Sequence, residues 1–391
     1  MNKKKLGAEH LKIKNRKLVF ECIFNNPGIS RPQIADLTKL STATVCRIAD
    51  ELVELGVAGE YDSDEGNVGR RPALLHVCGE NVPALAVELD RNRQICAVVD
   101  LTGKVHYRTE RDFNVLDFSP EEICDIVLEM CNEAMTQPSM EGKHFIGLGI
   151  AMPGLVDIKS NTVILSAQFG WNNVPLGEFL EKAFPEMIIV LENDMNARAL
   201  AESLFGGLRN EQNAVVLGIG SGVGAGIIID GRVYRGSSSM AGEVGHIPMG
   251  GAGSGTMCEC GSYGCLQTFL ADRAILDDAR RFKPDADIDT ILEAANSNEQ
   301  WATSIIDRFV LSATNAVSYV SSLLNPGAIV LTGSLLEDYP ILRERLLKNR
   351  TLHSNGNLGA SFRLLMSNLS RNCAVLGVGI HLYHKVYEEY I

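Results

Sequence analysis

The sequence predicts an α/β protein in which a small winged helix-turn-helix head precedes two α/β lobes. Three observations predict it. Residues 1–50 hold ten Lys/Arg against four Asp/Glu, a balance of +6, leaving −18 on the rest of a chain whose net charge is −12. Within that basic head, apolar residues recur at helical spacing between short polar breaks. From residue 84 onward, apolar runs end in glycine turns or lead into helices, and a second strand–glycine–strand start at 213 echoes the one at 84, which implies two related lobes with a cleft between them.

The bulk properties fit this division. At 391 residues, 46% apolar and 21% charged, the chain is long enough for two or three domains, each with its own core. No run approaches the ~20 apolar residues that cross a bilayer. The basic start MNKKKLGAEHLKIKNRKLVF lacks a continuous apolar stretch and a small-residue cleavage site, so no signal peptide and no membrane association are expected, and a cytoplasmic protein is.

In the head, the first helix carries Leu18, Val19, Ile23 and Phe24 on one face and stops at NNPG. Ser30 is placed to cap a second helix, RPQIADLTK, with Pro32 tolerated in its first turn. Ser41 or Thr42 can cap the third, in which Val45, Ile48, Leu52 and Leu55 form the apolar stripe and Gly56 ends the helix. Two short helices joined by a tight turn form the helix-turn-helix pattern. Ser41, Thr42, Thr44 and Arg47 lie at the start and on the polar side of the third helix, suited to base edges and phosphates in a major groove. The following VAGEYDSDEGNVGRRPALLHV reads as two strands around a turn, a wing from which Arg70 and Arg71 would reach a minor groove or phosphates. Operator DNA is the partner this head implies.

Cysteine usage separates scaffold from site. Cys22, Cys46, Cys78, Cys96, Cys124, Cys131 and Cys373 are scattered singly, as reduced core thiols are. Cys258, Cys260 and Cys265 crowd into MCECGSYGCLQ, a spacing that suits a metal ion better than a disulfide framework. Gly261 and Gly264 let the chain bend around it.

Four stretches in order, LENDMNARALAESLFG, GSGVGAGIIIDGRVYRG, AGEVGHIPMG and CECGSYGCLQ, resemble the ROK family, which groups sugar kinases with sugar-responsive repressors. The likeness spans nearly all of the chain, and the winged head matches the repressor branch of N-acetylglucosamine and xylose repressors. The fold it implies is two actin-like (ribonuclease H-like) lobes. Residues 1–80 would form the DNA-binding head and 81–194 the first lobe, completed by a C-terminal helix over 371–391. Residues 195–370 would form the second lobe with the metal knot.

The resemblance also assigns residues. It makes His246 the fourth ligand of a structural Zn²⁺ beside Cys258, Cys260 and Cys265. Asp194 falls at the position of the kinase base and Asn193 beside it. Glu243 and His246 line a sugar pocket, with Gly154 of MPGLVD nearby. Where the family has Cys-x-Glu after the knot, this chain has Gln267, which keeps an acceptor, adds a donor and loses the charge. As an alternative role, Asp194 could cap the helix that follows it.

The family's nucleotide cradle, Asp-x-Gly-Gly-Thr, is replaced here by ELDRNRQ, with Arg91, Asn92 and Arg93 in the tight turn, although arginine charge could still attract phosphate. The glycine loop 220–226 and IVLTGS remain. The expectation is a non-enzymatic, sugar-responsive repressor of carbohydrate uptake or catabolism genes, released from DNA by a sugar or sugar phosphate. It would act as a homodimer or higher homo-oligomer, with helices such as 303–324 in contact. The alternatives are a residual or bifunctional ATP-dependent sugar kinase and a repressor controlled by a sugar-transport protein.

Overall fold

Ser30 and Ser41 set the geometry of the head. The computed structural model describes residues 3–62, 73–249, 255–349, 362–388 and 390. Helix α1 (Lys3–Asn25) leads through a short strand β1 (Ile29–Ser30) into α2 (Arg31–Thr38). The Ser30 backbone N–H donates to Gln33 Oε1 at 2.9 Å, with Pro32 in the first turn. Lys39 ends α2 in the left-handed conformation, φ 59°. Ser41 then caps α3 (Thr42–Glu54), its Oγ accepting from the Thr44 N–H at 3.2 Å. Val45, Ile48, Ala49 and Leu52 of α3 are buried, as the periodicity predicts. Strands β2 (Ala58–Asp62) and β3 (Ala73–Val77) form an antiparallel hairpin, with β1 on the far edge of β3. Arg70 and Arg71 lie outside the described residues.

Two five-stranded sheets follow. The first comprises β4 (Ala84–Leu89), β5 (Arg93–Val99), β6 (Val105–Asp112), β7 (Gly147–Met152) and β11 (Ile188–Asn193). Helix α4 (Pro120–Met135) packs on this sheet. A separate meander of β8 (Leu155–Asp157), β9 (Thr162–Ser166) and β10 (Trp171–Val174) precedes α5 (Leu176–Ala183). Helix α6 (Asp194–Leu204) then leads to the second sheet, of β12 (Ala214–Ile219), β13 (Val223–Ile229), β14 (Arg232–Val233), β15 (Ala328–Thr332) and β16 (Arg363–Met366). In both sheets an antiparallel three-strand start is continued by two parallel strands, so the spatial order is third-second-first-fourth-fifth in each. The echo between residues 84 and 213 is therefore a repeated topology. Strands β4, β7, β12 and β15 are buried throughout, which is why they read as apolar runs rather than alternating ones.

Helices α7 (Gln267–Leu270), α8 (Asp272–Arg280), α9 (Ile288–Asn296) and α10 (Gln300–Leu324) separate β14 from β15; α11 (Ser334–Asp338) and α12 (Pro340–Lys348) separate β15 from β16. They share a core with the second sheet. The last helix, α13 (Cys373–Val386), returns to the first lobe, packing on β4, β7 and β11 and lying along α6. Gly377 makes that approach possible: a Cβ there would lie 1.7 Å from the Ala197 carbonyl oxygen.

The head and the first lobe share one apolar core. Val19, Phe20 and Ile23 of α1 belong to the same buried cluster as Ala84, Leu376 and Tyr383. Phe24 lies 6.5 Å from Phe205 at the end of α6, and the Arg16 guanidinium sits 4.6 Å from the Tyr390 ring centre while pairing with Glu51 at 3.1 Å. The charge change near residue 50 marks a change of surface; the core continues across it. Among the described residues, no helix is long and apolar enough to cross a membrane.

Candidate functional site

A cleft of about 330 Å³ opens between the two sheets. Asn193, Asp194, Glu243, His246, Gln267 and Gly154, the six residues assigned to a sugar pocket, all line it. They come from three places: the β11–α6 junction, the turn after β7, and the segment between β14 and α7. In addition, Glu88, Asp90, Ser166, Gln168, Arg198 and Ser221 line the same cleft and were not anticipated as ligand contacts.

The β11–α6 junction is held by its own polar groups. Asn193, not Asp194, is the helix cap: its Oδ1 accepts from the Met195 N–H at 2.9 Å and the Asn196 N–H at 3.1 Å. Its Nδ2 donates to the Gly154 carbonyl at 3.1 Å, tying the two predicted loops together. The capping role proposed for Asp194 is thus filled one residue earlier, and Asp194 is the first residue of α6. Beneath it, Glu192 accepts from the Asn193 N–H and Asn196 on one oxygen and from Arg235 and His381 on the other. Burial alone would raise this carboxyl, but His381 and Arg235 outweigh it and hold it at about 2. Glu192 is a fixed anion that anchors the junction.

Asp194 and Glu243 line the cleft and are half-buried. Burial pushes Asp194 up to about 6, with Arg198 pulling it down and Asp90 adding to the rise. Burial, and then the charge of Asp194, pushes Glu243 up to about 7. Arg198 is 9% exposed and ion-pairs with Glu88, itself 5% exposed, and with Glu337 at 3.7 Å. The sequence signal for this pair was a single carboxylate in the otherwise apolar ALAVEL and an arginine one turn beyond Asp194.

The knot residues converge. One ligand atom each from His246, Cys258, Cys260 and Cys265 lies within 4.8 Å of the others. Cys260 Sγ and Cys265 Sγ are 3.7 Å apart, and Cys258 Sγ is 3.6 Å from His246 Nδ1. A tetrahedral ion with Zn–S bonds of about 2.3 Å sets its ligands about 3.7–3.8 Å apart, so the donor set fits such an ion. Gln267 Nε2 donates to Cys258 Sγ at 3.1 Å, an interaction that a glutamate would not make. With Nδ1 turned to the sulfurs, His246 places Nε2 3.6 Å from Glu243 Oε2, on the cleft side. The cluster is therefore able to bind a metal ion.

The glycine loop, which lines the cleft, is contacted from the first lobe. Ser221 donates to Asp90 Oδ1, and a Cβ on Gly222 would meet Gln168 Nε2 at 1.9 Å. The arginines of the turn are committed as well. Arg91 pairs with Glu259 at 2.7 Å, and Arg93 with Glu110 at 3.0 Å and Asp338 at 3.3 Å. Their charge is matched by carboxylates instead of waiting for phosphate.

On the head, Ser41, Thr42 and Arg47 are exposed and Thr44 half-buried. Ser41 and Thr44 spend their hydroxyls on each other at 2.8 Å, and Arg47 pairs with Glu51 one turn away. Lys39, exposed just before the cap, is a further cation beside them.

Head, twin sheets, cleft and knot together define a two-lobed α/β protein that carries a helix-turn-helix. Residues 84–384 match the ROK family model, and the chain belongs to the ROK family. It is 27% identical over 368 residues to the xylose repressor of Bacillus spizizenii, covering 93% of both chains. It is 28% identical over 338 residues to the DNA-binding transcriptional dual regulator NagC of Escherichia coli, covering 84% of this chain and 82% of that one. Among solved structures, a ROK family transcriptional regulator described as a homologue of the E. coli MLC protein superposes with a TM-score of 0.80 at 26% identity, covering 97% of this chain and 98% of that one. A ROK family glucokinase from Streptomyces griseus, in complex with glucose and AMPPNP, superposes with a TM-score of 0.68 at 24% identity over 76% of this chain and 98% of that one, a likeness of fold.

Proposed function

We propose that this chain is a sugar-responsive transcriptional repressor that grips operator DNA through its head and lets go when a sugar or sugar phosphate enters the interlobe cleft. The observation that carries the non-enzymatic part is the contact between Asp90 and Ser221. A carboxylate bonded to the glycine loop presents negative charge where a transferable phosphate would need backbone N–H groups. The wall beside it supports the sugar reading: a carboxylate at Asp194, another at Glu243, the imidazole of His246 and the amide of Gln267 line one cleft. Such a mixture of donors and acceptors suits a polyol.

His246, Cys258, Cys260 and Cys265 would hold a structural zinc ion. With four protein ligands, that ion would brace the knot and fix the His246 ring for ligand contact. Thr42, Thr44 and Arg47 on α3, with Arg70 and Arg71 between the hairpin strands, are the proposed DNA contacts. Two copies place two heads on half-sites about 34–36 Å apart or a multiple of that. A change of lobe angle moves a head only because the head is packed on the first lobe, and the ligand acts to the extent that it favours one angle.

The test is a pair of titrations on the full chain. Operator affinity is measured with and without D-xylose and N-acetyl-D-glucosamine, and ATP turnover is measured with the same sugars. Sugar-dependent release without ATP turnover is expected, and Arg47→Ala should weaken operator binding while leaving sugar affinity intact. ATP consumed at 1 to 100 turnovers per second, roughly the kinase range, would establish a kinase in its place.

A further inference from the structure

The turn Asp90–Arg93 between β4 and β5 reaches across the cleft with three side chains. Asp90 takes the Ser221 hydroxyl, Arg91 pairs with Glu259, and Arg93 pairs with Asp338. All three partners lie on segments of the second sheet and its helices or the knot. Asp90 and Ser221 line the cleft themselves, and Arg91 reaches both walls from just behind them. Its Nη2 donates to the Gln168 carbonyl at 2.7 Å, and the same nitrogen lies 2.7 Å from Glu259 Oε1. Gln168 belongs to the β9–β10 loop that lines the cleft from the first lobe. Glu259 stands between the knot cysteines Cys258 and Cys260 and is also held by Arg273 at 3.1 Å.

One guanidinium therefore fastens the first-lobe wall to the second-lobe wall. The Arg91 side chain is 12% exposed and that of Glu259 25%, so the arginine end of the pair is the shielded one. Removing Glu259 leaves the Arg91 charge poorly solvated, whereas Glu259 keeps Arg273 when Arg91 is removed. One nitrogen makes both contacts, a duty that a lysine ammonium can also perform.

We infer that Arg91 is a positioning residue for the ligand: with Glu259 it clamps the cleft at its binding width, so that the two walls meet a sugar in register with no nucleotide bridging them. The clamp rests on the reading of the cleft as a sugar site. It gives the bulky turn a purpose beyond excluding phosphate: the turn that sets Asp90 on the glycine loop also ties the lobes together through Arg91.

The test compares the wild-type chain with R91M, R91K, E259Q and the R91M/E259Q double variant. The first readout uses no sugar. Hydrogen exchange at the amides of 166–170 and 257–266 should quicken about tenfold in R91M and remain near wild type in R91K. The second is calorimetric titration with D-xylose and N-acetyl-D-glucosamine, with zinc per chain measured alongside. R91M and E259Q should each weaken binding about tenfold at unchanged zinc content. The double variant should fall no more than about twofold further, because the two changes break one contact. Unchanged exchange in both segments, unchanged sugar affinity in R91M, or losses that multiply in the double variant would each overturn the clamp. If neither sugar binds the wild-type chain, the sugar reading of the cleft fails on its own, and the exchange measurement still decides whether Arg91 holds the walls.

Discussion

Replacing Asn193 separates its two roles, one in the scaffold and one at the ligand. Its Oδ1 accepts the Met195 and Asn196 N–H groups and its Nδ2 donates to the Gly154 carbonyl. Asn193→Ala removes the cap of α6, a loss of about 1 kcal/mol, and the bond to Gly154, about 1 kcal/mol more. Asn193→Ser keeps a capping hydroxyl and loses only the second, so its cost should be about 1 kcal/mol against about 2 for alanine. Urea titration followed by the fluorescence of Trp171, 5% exposed in β10, measures both. Equal losses for serine and alanine would mean that the cap contributes nothing. A wild-type unfolding curve for both variants, coupled with a lost sugar response, would refute the scaffold role and leave Asn193 as a ligand contact alone.

Two further outcomes follow from the same geometry. Cys260→Ser removes one thiolate from a four-donor set, so metal analysis should find well below one zinc per chain and the sugar response should be blunted; full zinc content would take Cys260 out of the set. Asp194 is pushed up to about 6 from an ordinary value of 3.8, so between those pH values the folded chain holds a proton that the unfolded chain has shed. The contribution of Asp194 to stability therefore falls as pH rises through that window and levels off above it. Asp194→Asn should reduce that slope by the share of Asp194, leaving the share of Glu243, and gain about 2 kcal/mol at pH 7.5, after allowance for partial solvent exposure, with little gain at pH 4; an equal gain at both pH values, read by urea titration, would count against a buried Asp194 charge.

What the sequence made legible was local. Ser30, Ser41 and the apolar stripe of α3 declare their structure within a few residues, and the three clustered cysteines announce a knot within eight positions. Apolar runs ending in glycine marked the central strands. Long-range pairing was hidden. Arg198 and Glu88 are 110 residues apart in the chain, Ser221 and Asp90 131, and Arg93 and Asp338 245, and no periodicity links such partners. The turn ELDRNRQ reads as a poor phosphate cradle whose arginine charge could still attract phosphate. Its charges found carboxylates that only the folded lobes bring near. The β8–β10 meander, which delivers Ser166 and Gln168 to the cleft, was missed because its strands of three to five residues carry too few side chains for alternation to stand out. The cap was displaced by one residue because Asn and Asp serve that position about equally.

The shared core beneath the head has an evolutionary consequence. Phe24 resting on Phe205, and Arg16 stacked over Tyr390 while bonded to Glu51, make the underside of the DNA reader a fitted joint instead of a tether. If α3 reads the operator as proposed, a new preference can arise by altering its outward face, since Thr42 lies apart from that joint and Arg47 touches it only through Glu51. Swapping the entire reader between relatives would strand apolar side chains on both pieces unless α1 and the chain's last turn travelled together. Divergence in target sequence should therefore outpace exchange of whole heads.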